Sequence, residues 1–223
     1  SASGTTGESW PQLASDLSSR FGAFKNVFTK EPGDAAGLGF EAARRGTTFI
    51  IACGGDGTIS EVANGILNSG KDAELGILPS GTGGDFRKTL EIPNQPLAAA
   101  EILRNGRTRK IDVGRVSFLD HQGQEITRYF LGVASCGMST RVIERVKGGG
   151  PDWLPANTPQ WLGGRVSFGA SLLQTAIRSE ATRVRVAIDD SHERHLSIVN
   201  LCIANARYFG GGMKIAPQAK LTD

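Results

Sequence analysis

The chain has 223 residues, 30 of them glycine, with 39% apolar and 21% charged residues; that is enough for a core and too evenly mixed for wholesale disorder. No apolar run approaches the roughly 20 residues of a helical membrane span, and the opening residues lack the charged-then-apolar order of a signal peptide. The net charge of +3 is mild, and the basic clusters at 44–45, 104–110 and 141–147 have no interleaved aromatics, which favours solvated faces over nucleic-acid binding.

Residues 1–7 are small and polar and read as a loop. Trp10, Leu13, Leu17 and Phe21 follow at helical spacing. Val27 and Phe28 lie in a short strand ending at Thr29, and the turn at 31–34 places Asp34 to cap a helix over 35–45. Residues 48–53 form an apolar run without alternation, the pattern of a strand covered on both faces. It runs into Gly54-Gly55-Asp56-Gly57-Thr58 and a helix over 59–67. A second buried strand at 75–78 leads into another glycine turn, 79–85, and a helical patch at 97–104.

Strand, glycine loop and helix, repeated, argue an open α/β domain over residues 1–108. The texture then changes. Strand-like runs at 111–118, 128–135, 183–188 and 196–204, parted by polar turns, predict a mostly antiparallel β-rich domain over 109–223. A 17-residue glycine- and proline-rich connection at 148–164 is long enough for a mobile or functional loop, and a helix is expected over 166–177.

The first glycine loop carries the strongest chemical signal. Its three glycines allow a tight turn and bring backbone N–H groups close to an anion, and the next helix adds its positive end. Asp56 cannot attract phosphate itself, so its place there implies a bound Mg²⁺ or a loop-orienting role. Thr58 and Glu61 have capping-box spacing. A merely structural turn is the alternative to phosphate binding. The second loop, with Ser80, Gly81, Thr82, Gly83 and Gly84, follows a strand at the same sheet edge, where ligands of open α/β folds collect. Neither G-x-G-x-x-G nor a P-loop pattern is present.

Together with Thr29-Lys-Glu-Pro-Gly-Asp-Ala35, these loops, Ile111-Asp-Val-Gly114, and the asparagine-to-proline segment at 205–217 resemble the diacylglycerol kinase catalytic-domain family. The likeness runs along essentially the whole chain and is nearest to the soluble bacterial lipid kinases. It implies an NAD-kinase/diacylglycerol-kinase-like three-layer α/β domain followed by a β-sandwich-like domain, truncated at both ends. It also implies ATP with Mg²⁺, and a lipid substrate met at the inner membrane surface by a cytoplasmic protein with no transmembrane segment. A homodimer is left open.

By that likeness Ser3 and Gly4 are the remainder of a nucleotide-site loop, and Thr29 is a nucleotide-site threonine. Gly54, Gly55, Asp56, Gly57, Thr58 and Glu61 organise phosphate and metal, with Asp56 the catalytic candidate. Gly81, Thr82 and Gly83 form the second nucleotide loop, Asp85 and Asp112 face the substrate, and Asp223 begins a segment associated with a structural Mg²⁺. The family's general base belongs to an aspartate-glycine-glutamate segment beyond residue 223.

Two positions depart from the pattern. Gly84 stands where the family has asparagine, and Ser60 where asparagine is common. The rival readings are an NAD kinase-like or other small-molecule kinase, and a catalytically silent nucleotide- or lipid-binding homologue.

The other polar residues read blandly. His121, His192 and His195 are surface histidines, and Asp189-Asp190 is a hairpin turn. Cys53, Cys136 and Cys202 are odd in number, widely spaced and set in apolar runs, a reduced intracellular pattern without a metal knuckle or disulfide framework. Cys53 is a packing residue. Asn205 is either a core amide satisfying backbone groups or a support for the site. Trp153, Leu154, Trp161, Leu162 and Phe168 are ordinary packing or an apolar lip at a lipid entrance.

Overall fold

The computed structural model describes residues 5–80, 84–137, 181–189 and 192–222. The first half runs α1 (Thr5–Phe21), α2 (Asp34–Arg44), β1 (Phe49–Gly54), α3 (Asp56–Ser69), β2 (Glu74–Pro79), α4 (Asp85–Thr89) and α5 (Pro96–Asn105). Strands follow: β3 (Gly114–Leu119), β4 (Glu125–Phe130), β5 (Val133–Gly137), β6 (Thr182–Val186), β7 (Arg194–Ile198) and β8 (Asn200–Ala204). Contacts divide the chain into two units, 1–132 with 205–223, and 133–204. This division by contacts differs from the textural one at 108/109, because residues 109–132 and the last stretch, 205–223, both pack with the first unit.

In the first unit β1 and β2 pair in parallel, with Ala52 opposite Ile77 and Cys53 opposite Leu78. Alternation along a strand sends these pairs to opposite faces. Ala52 and Ile77 pack with Ala35 of α2 and with Ile59, Val62, Ala63 and Ile66 of α3. Leu78 packs with Leu17 of α1 and with Ala99 and Ala100 of α5, Cys53 lying against them. Helices therefore cover both faces, the expected three-layer arrangement. The cover is incomplete at the start of β1, where Phe49 and Ile51 remain 42% and 44% exposed. Among the described residues their face is covered at its Cys53–Leu78 end, and the exposure of Phe49 and Ile51 corrects the expectation of full burial.

Small residues set the α2–α3 distance. Buried Gly39 brings α2 against the backbone of Val62, and a Cβ on Gly65 would run into the Ala36 carbonyl and the Phe40 amide. That close approach fixes the angle at which α3 leaves the first glycine loop.

Beyond residue 110 every described strand pair is antiparallel, as its texture predicts. β3 pairs with β4 in the first unit; β5 pairs with β8 and β6 with β7 in the second. Asp189 lies in the β6–β7 turn with φ +52°.

Several local expectations change. α1 begins at Thr5, inside the stretch expected to be loop, and tolerates Pro11 at the cost of that residue's one backbone donor. Val27 and Phe28 form no strand: a strand needs a ladder, and none is paired to them among the described residues. Instead Phe28 and Phe24 meet Trp10 edge-on, at centroid distances of 5.9 and 6.2 Å. Asp34 is the first residue of α2, not its cap. Its Oδ2 accepts the N–H groups of Lys30 and Glu31 at 2.7 and 3.0 Å, and Gly33 holds the cap position at φ +100°. The turn around α4 contains a helix that the sequence pattern did not announce. The connection at 148–164, the helix expected over 166–177, the aromatic lip and the basic cluster at 141–147 lie outside the described residues.

Candidate functional site

β1 delivers Gly54 to the end of the parallel pair, where its carbonyl accepts the Ser80 N–H at 3.1 Å and ties the two glycine loops together. Gly54 is glycine for a packing reason: Thr58 folds over it, and a Cβ there would lie 2.7 Å from Thr58 Oγ1. Gly55 is the N-cap of α3, at φ −91° and ψ −174°, a conformation open to any residue. A Cβ on Gly55 or Gly57 would meet nothing within 4 Å. Internal packing requires neither glycine.

Asp56 opens α3 and reaches across to the second loop. Its Oδ2 accepts the N–H groups of Gly84 and Asp85 at 3.1 and 2.9 Å, and Oδ1 accepts that of Phe86 at 3.0 Å. One carboxylate thus gathers three backbone donors at the start of α4, each a charge-assisted bond. The capping box expected between Thr58 and Glu61 does not form. No side chain caps α3, and Glu61 Oε2 instead accepts the Ala35 N–H at 3.2 Å, placing negative charge in the first turn of α2.

Asp85 is turned toward the last part of the chain. Its Oδ2 accepts the Gly211 N–H at 2.8 Å, and its Oδ1 lies 3.3 Å from Lys88 Nζ. Gly210, Gly211 and Gly212 all have positive φ, a path that glycine takes without strain. Thr89 Oγ1 accepts the Arg207 N–H at 3.2 Å, so α4 carries this segment at two points.

Asp112 is exposed and pinned through its backbone. Its N–H donates to the Leu221 carbonyl at 2.7 Å, and its own carbonyl accepts Asn205 Nδ2 at 2.8 Å. Asn205 Nδ2 also donates to the Leu131 carbonyl at 3.0 Å, the role of an amide satisfying backbone groups. Thr29 is half-buried at the end of the stretch preceding the Lys30–Asp34 turn. Ser3, Gly4, Gly81, Thr82, Gly83 and Asp223 lie outside the described residues.

The structure therefore gathers Gly54, Gly55, Asp56, Gly84, Asp85 and Gly211 around one corner of the first unit. Sequence reasoning assigned no role to Arg87 and Lys88 there, or to Asn64 further along α3. Asn64, in mid-helix, and Ser69, at the end, are the polar residues among the buried positions of α3. Arg87 lines a shallow pocket with Gly54, Gly55, Pro79, Ser80 and Gly84.

Three titrations are displaced. Backbone donation from Glu31, then Lys30, holds the Asp34 carboxyl below its ordinary value, burial pushes the Cys53 thiol up to about 11, and burial also raises the Cys202 thiol against the Asn200 side-chain bond that lowers it. The first two are consistent with structural rather than chemical duty. The three histidines are exposed. Among the described residues no three His, Cys, Asp or Glu side chains converge as a metal site.

A family model for the diacylglycerol kinase catalytic domain matches residues 1–116, and one for the YegS C-terminal NAD kinase beta sandwich-like domain matches residues 153–223. The chain belongs to the diacylglycerol kinase family. It is 32% identical over 191 residues to a diacylglycerol kinase of Mycobacterium tuberculosis H37Rv, covering 85% of this chain and 57% of that protein. It is 33% identical over 195 residues to a Klebsiella pneumoniae protein described as "Probable lipid kinase YegS-like", covering 87% of this chain and 60% of the relative. A solved diacylglycerol kinase structure from Bacillus anthracis str. Sterne superposes with TM-score 0.64 at 26% identity, over 92% of this chain and 61% of that one. The chain thus spans about three-fifths of these relatives' length. Among the described residues no helix is long and apolar enough to cross a membrane.

Proposed function

We propose that this chain forms the nucleotide-binding corner of a lipid kinase, which transfers the γ-phosphoryl of ATP to the hydroxyl of diacylglycerol or a related lipid at the inner membrane surface. The supporting observation is the open space over Gly55, the N-cap of α3, and over Gly57 in its first turn, which internal packing does not require to be glycine. Gly57, inside the first turn of α3, costs up to about 1 kcal/mol relative to alanine, whereas glycine is an ordinary residue at the N-cap that Gly55 holds. Space kept clear beside the N–H groups that open α3 suits a phosphate approaching the backbone.

Bound ATP would supply the transferable phosphoryl group; the rest is positioning and electrostatics. Gly55 and Gly57 leave the backbone accessible. Asp56 holds the second loop against the first, so both line one cavity. Asp85 fixes Gly211 beside them. These are positioning roles, set before any ligand arrives.

Asp56 uses three of its acceptor positions on backbone N–H donors, and no cluster of three His, Cys, Asp or Glu side chains surrounds it among the described residues, so the chain's own side chains form no closed magnesium cage there. No step is therefore assigned to a metal held there.

Incubation of the full-length protein that contains this chain with γ-labelled ATP and mixed micelles of diacylglycerol, ceramide, sphingosine or monoacylglycerol tests the reading. Labelled phosphatidic acid is expected, lost in Asp56→Ala. ATP binding with no labelled lipid would select the silent homologue instead, and labelled NADP from an NAD control would select the NAD kinase reading.

A further inference from the structure

Gly84 occupies a position where the family resemblance leads one to expect asparagine, and the space of that missing side chain is filled. Gly84 has φ +82° and ψ +52°, and a Cβ built on it would lie 2.6 Å from Arg87 Nε and 2.9 Å from both Arg87 Cδ and Cγ. The arginine stem lies where the asparagine would begin. Its Nη1 donates to the Ile92 carbonyl at 3.1 Å, which holds the guanidinium in place. Its Nε is buried and has no hydrogen-bond partner among the described residues. Arg87 lines the same pocket as Gly54, Gly55 and Ser80.

A buried, unpartnered N–H on a permanently charged group is costly, because guanidinium cannot shed its proton. Such a donor is retained without loss when a ligand completes it. The surroundings specify the ligand's chemistry: clear backbone at Gly55 on one side and a cation on the other suit a phosphate oxygen.

We infer that Arg87 supplies, through Nε–H, the ligand contact that an asparagine side chain at position 84 would otherwise make, and that it contacts a phosphate of the bound nucleotide. The inference rests on the nucleotide reading above and adds a residue to it. Residues 84 and 87 act as one unit: a small residue at 84 makes room for the long cation at 87. Asparagine at 84 is compatible with the backbone, since it is among the few side chains tolerated at positive φ. It is incompatible with Arg87 in its present place.

The pairing makes the test internal. ATP, ADP and inorganic tripolyphosphate are titrated calorimetrically into the unmodified chain, Arg87→Ala, Arg87→Lys, Gly84→Asn, and the double variant Gly84→Asn with Arg87→Ala. Melting temperatures are recorded for each, because loss of the Ile92 contact could itself loosen the fold. Arg87→Ala is expected to weaken ATP and tripolyphosphate by about tenfold or more, the scale of one hydrogen bond to a charged group. Arg87→Lys, which keeps the charge and much of the stem but has no Nε–H, falls short of full affinity. The double variant recovers most of the loss, although Gly84→Asn alone weakens binding; this reversal distinguishes substitution of one contact for another from general damage. Unchanged binding in a folded Arg87→Ala overturns the inference and leaves the nucleotide reading standing. So does a double variant no better than Arg87→Ala. No binding of any of the three ligands by the unmodified chain overturns both.

Discussion

Asn64 and Tyr129 exchange a closed pair of hydrogen bonds: Asn64 Nδ2 donates to the Tyr129 carbonyl at 2.8 Å, and the Tyr129 N–H donates to Asn64 Oδ1 at 2.9 Å. The other Nδ2 hydrogen goes to the Ser60 carbonyl, also at 2.8 Å, inside α3. An asparagine in mid-helix thus behaves toward β4 as a neighbouring strand would. It bolts the helix that begins at the first glycine loop to the β3–β4 hairpin.

Asn64→Asp removes both donors and turns a carboxylate toward two carbonyl oxygens, in a residue only 6% exposed. A loss of about 2–4 kcal/mol is expected, the range for leaving a buried charged group mispaired. Urea unfolding followed by circular dichroism reads it. A midpoint equal to that of the unmodified chain would show that the clamp contributes nothing.

Gly65→Ala is expected to be worse than its single methyl suggests. The added Cβ meets the Ala36 carbonyl and the Phe40 amide, both backbone, so α2 and α3 must separate. Overpacking of this kind costs about 1–3 kcal/mol or more. Gly57→Ala, inside α3 with open space around its Cβ, provides the contrast: stability unchanged or slightly raised, ATP binding weakened. Equal melting temperatures for Gly65→Ala and the unmodified chain would refute the close-approach account.

Asp56→Ala should lower stability even with no nucleotide or metal present, because it strands the N–H groups of Gly84, Asp85 and Phe86. About 2–4 kcal/mol is expected, less than three full charge-assisted bonds because the site is only partly buried. A residue whose sole duty was to hold a metal would show no such loss in chelator-treated protein. Thermal melting in EDTA separates the two roles.

Cys53 gives a pH signature. Burial raises its thiol to about 11 from 9.0, since the anion is poorly solvated there. The stabilisation linked to this proton is fully present below pH 9.0 and is lost as pH rises through about 11. Iodoacetamide at pH 8 should therefore modify exposed Cys136 and Cys202 well before Cys53, with peptide mass mapping as the readout. Early labelling of Cys53 in folded protein would contradict its packing against Leu78.

The sequence alone determined the α/β character of the first half, the antiparallel strands after residue 110, and the two glycine loops. Hydrophobic period and glycine spacing are local properties, legible within a window of a dozen residues. The family resemblance was legible for the same reason, because it rests on contiguous motifs. The tertiary structure decided where the polar side chains go. Asp34 points back into its own turn, and Glu61 leaves its helix to reach α2. Asp56 binds backbone 28 to 30 residues away, Asn64 binds Tyr129, and Asp85 holds Gly211. Hydrogen bonds carry no mark of their partner in the local sequence, so spacing suggested a capping box where the fold uses the same carboxylate elsewhere. The same holds for Gly84: its missing side chain is visible in the sequence, but only packing shows that Arg87 fills the place.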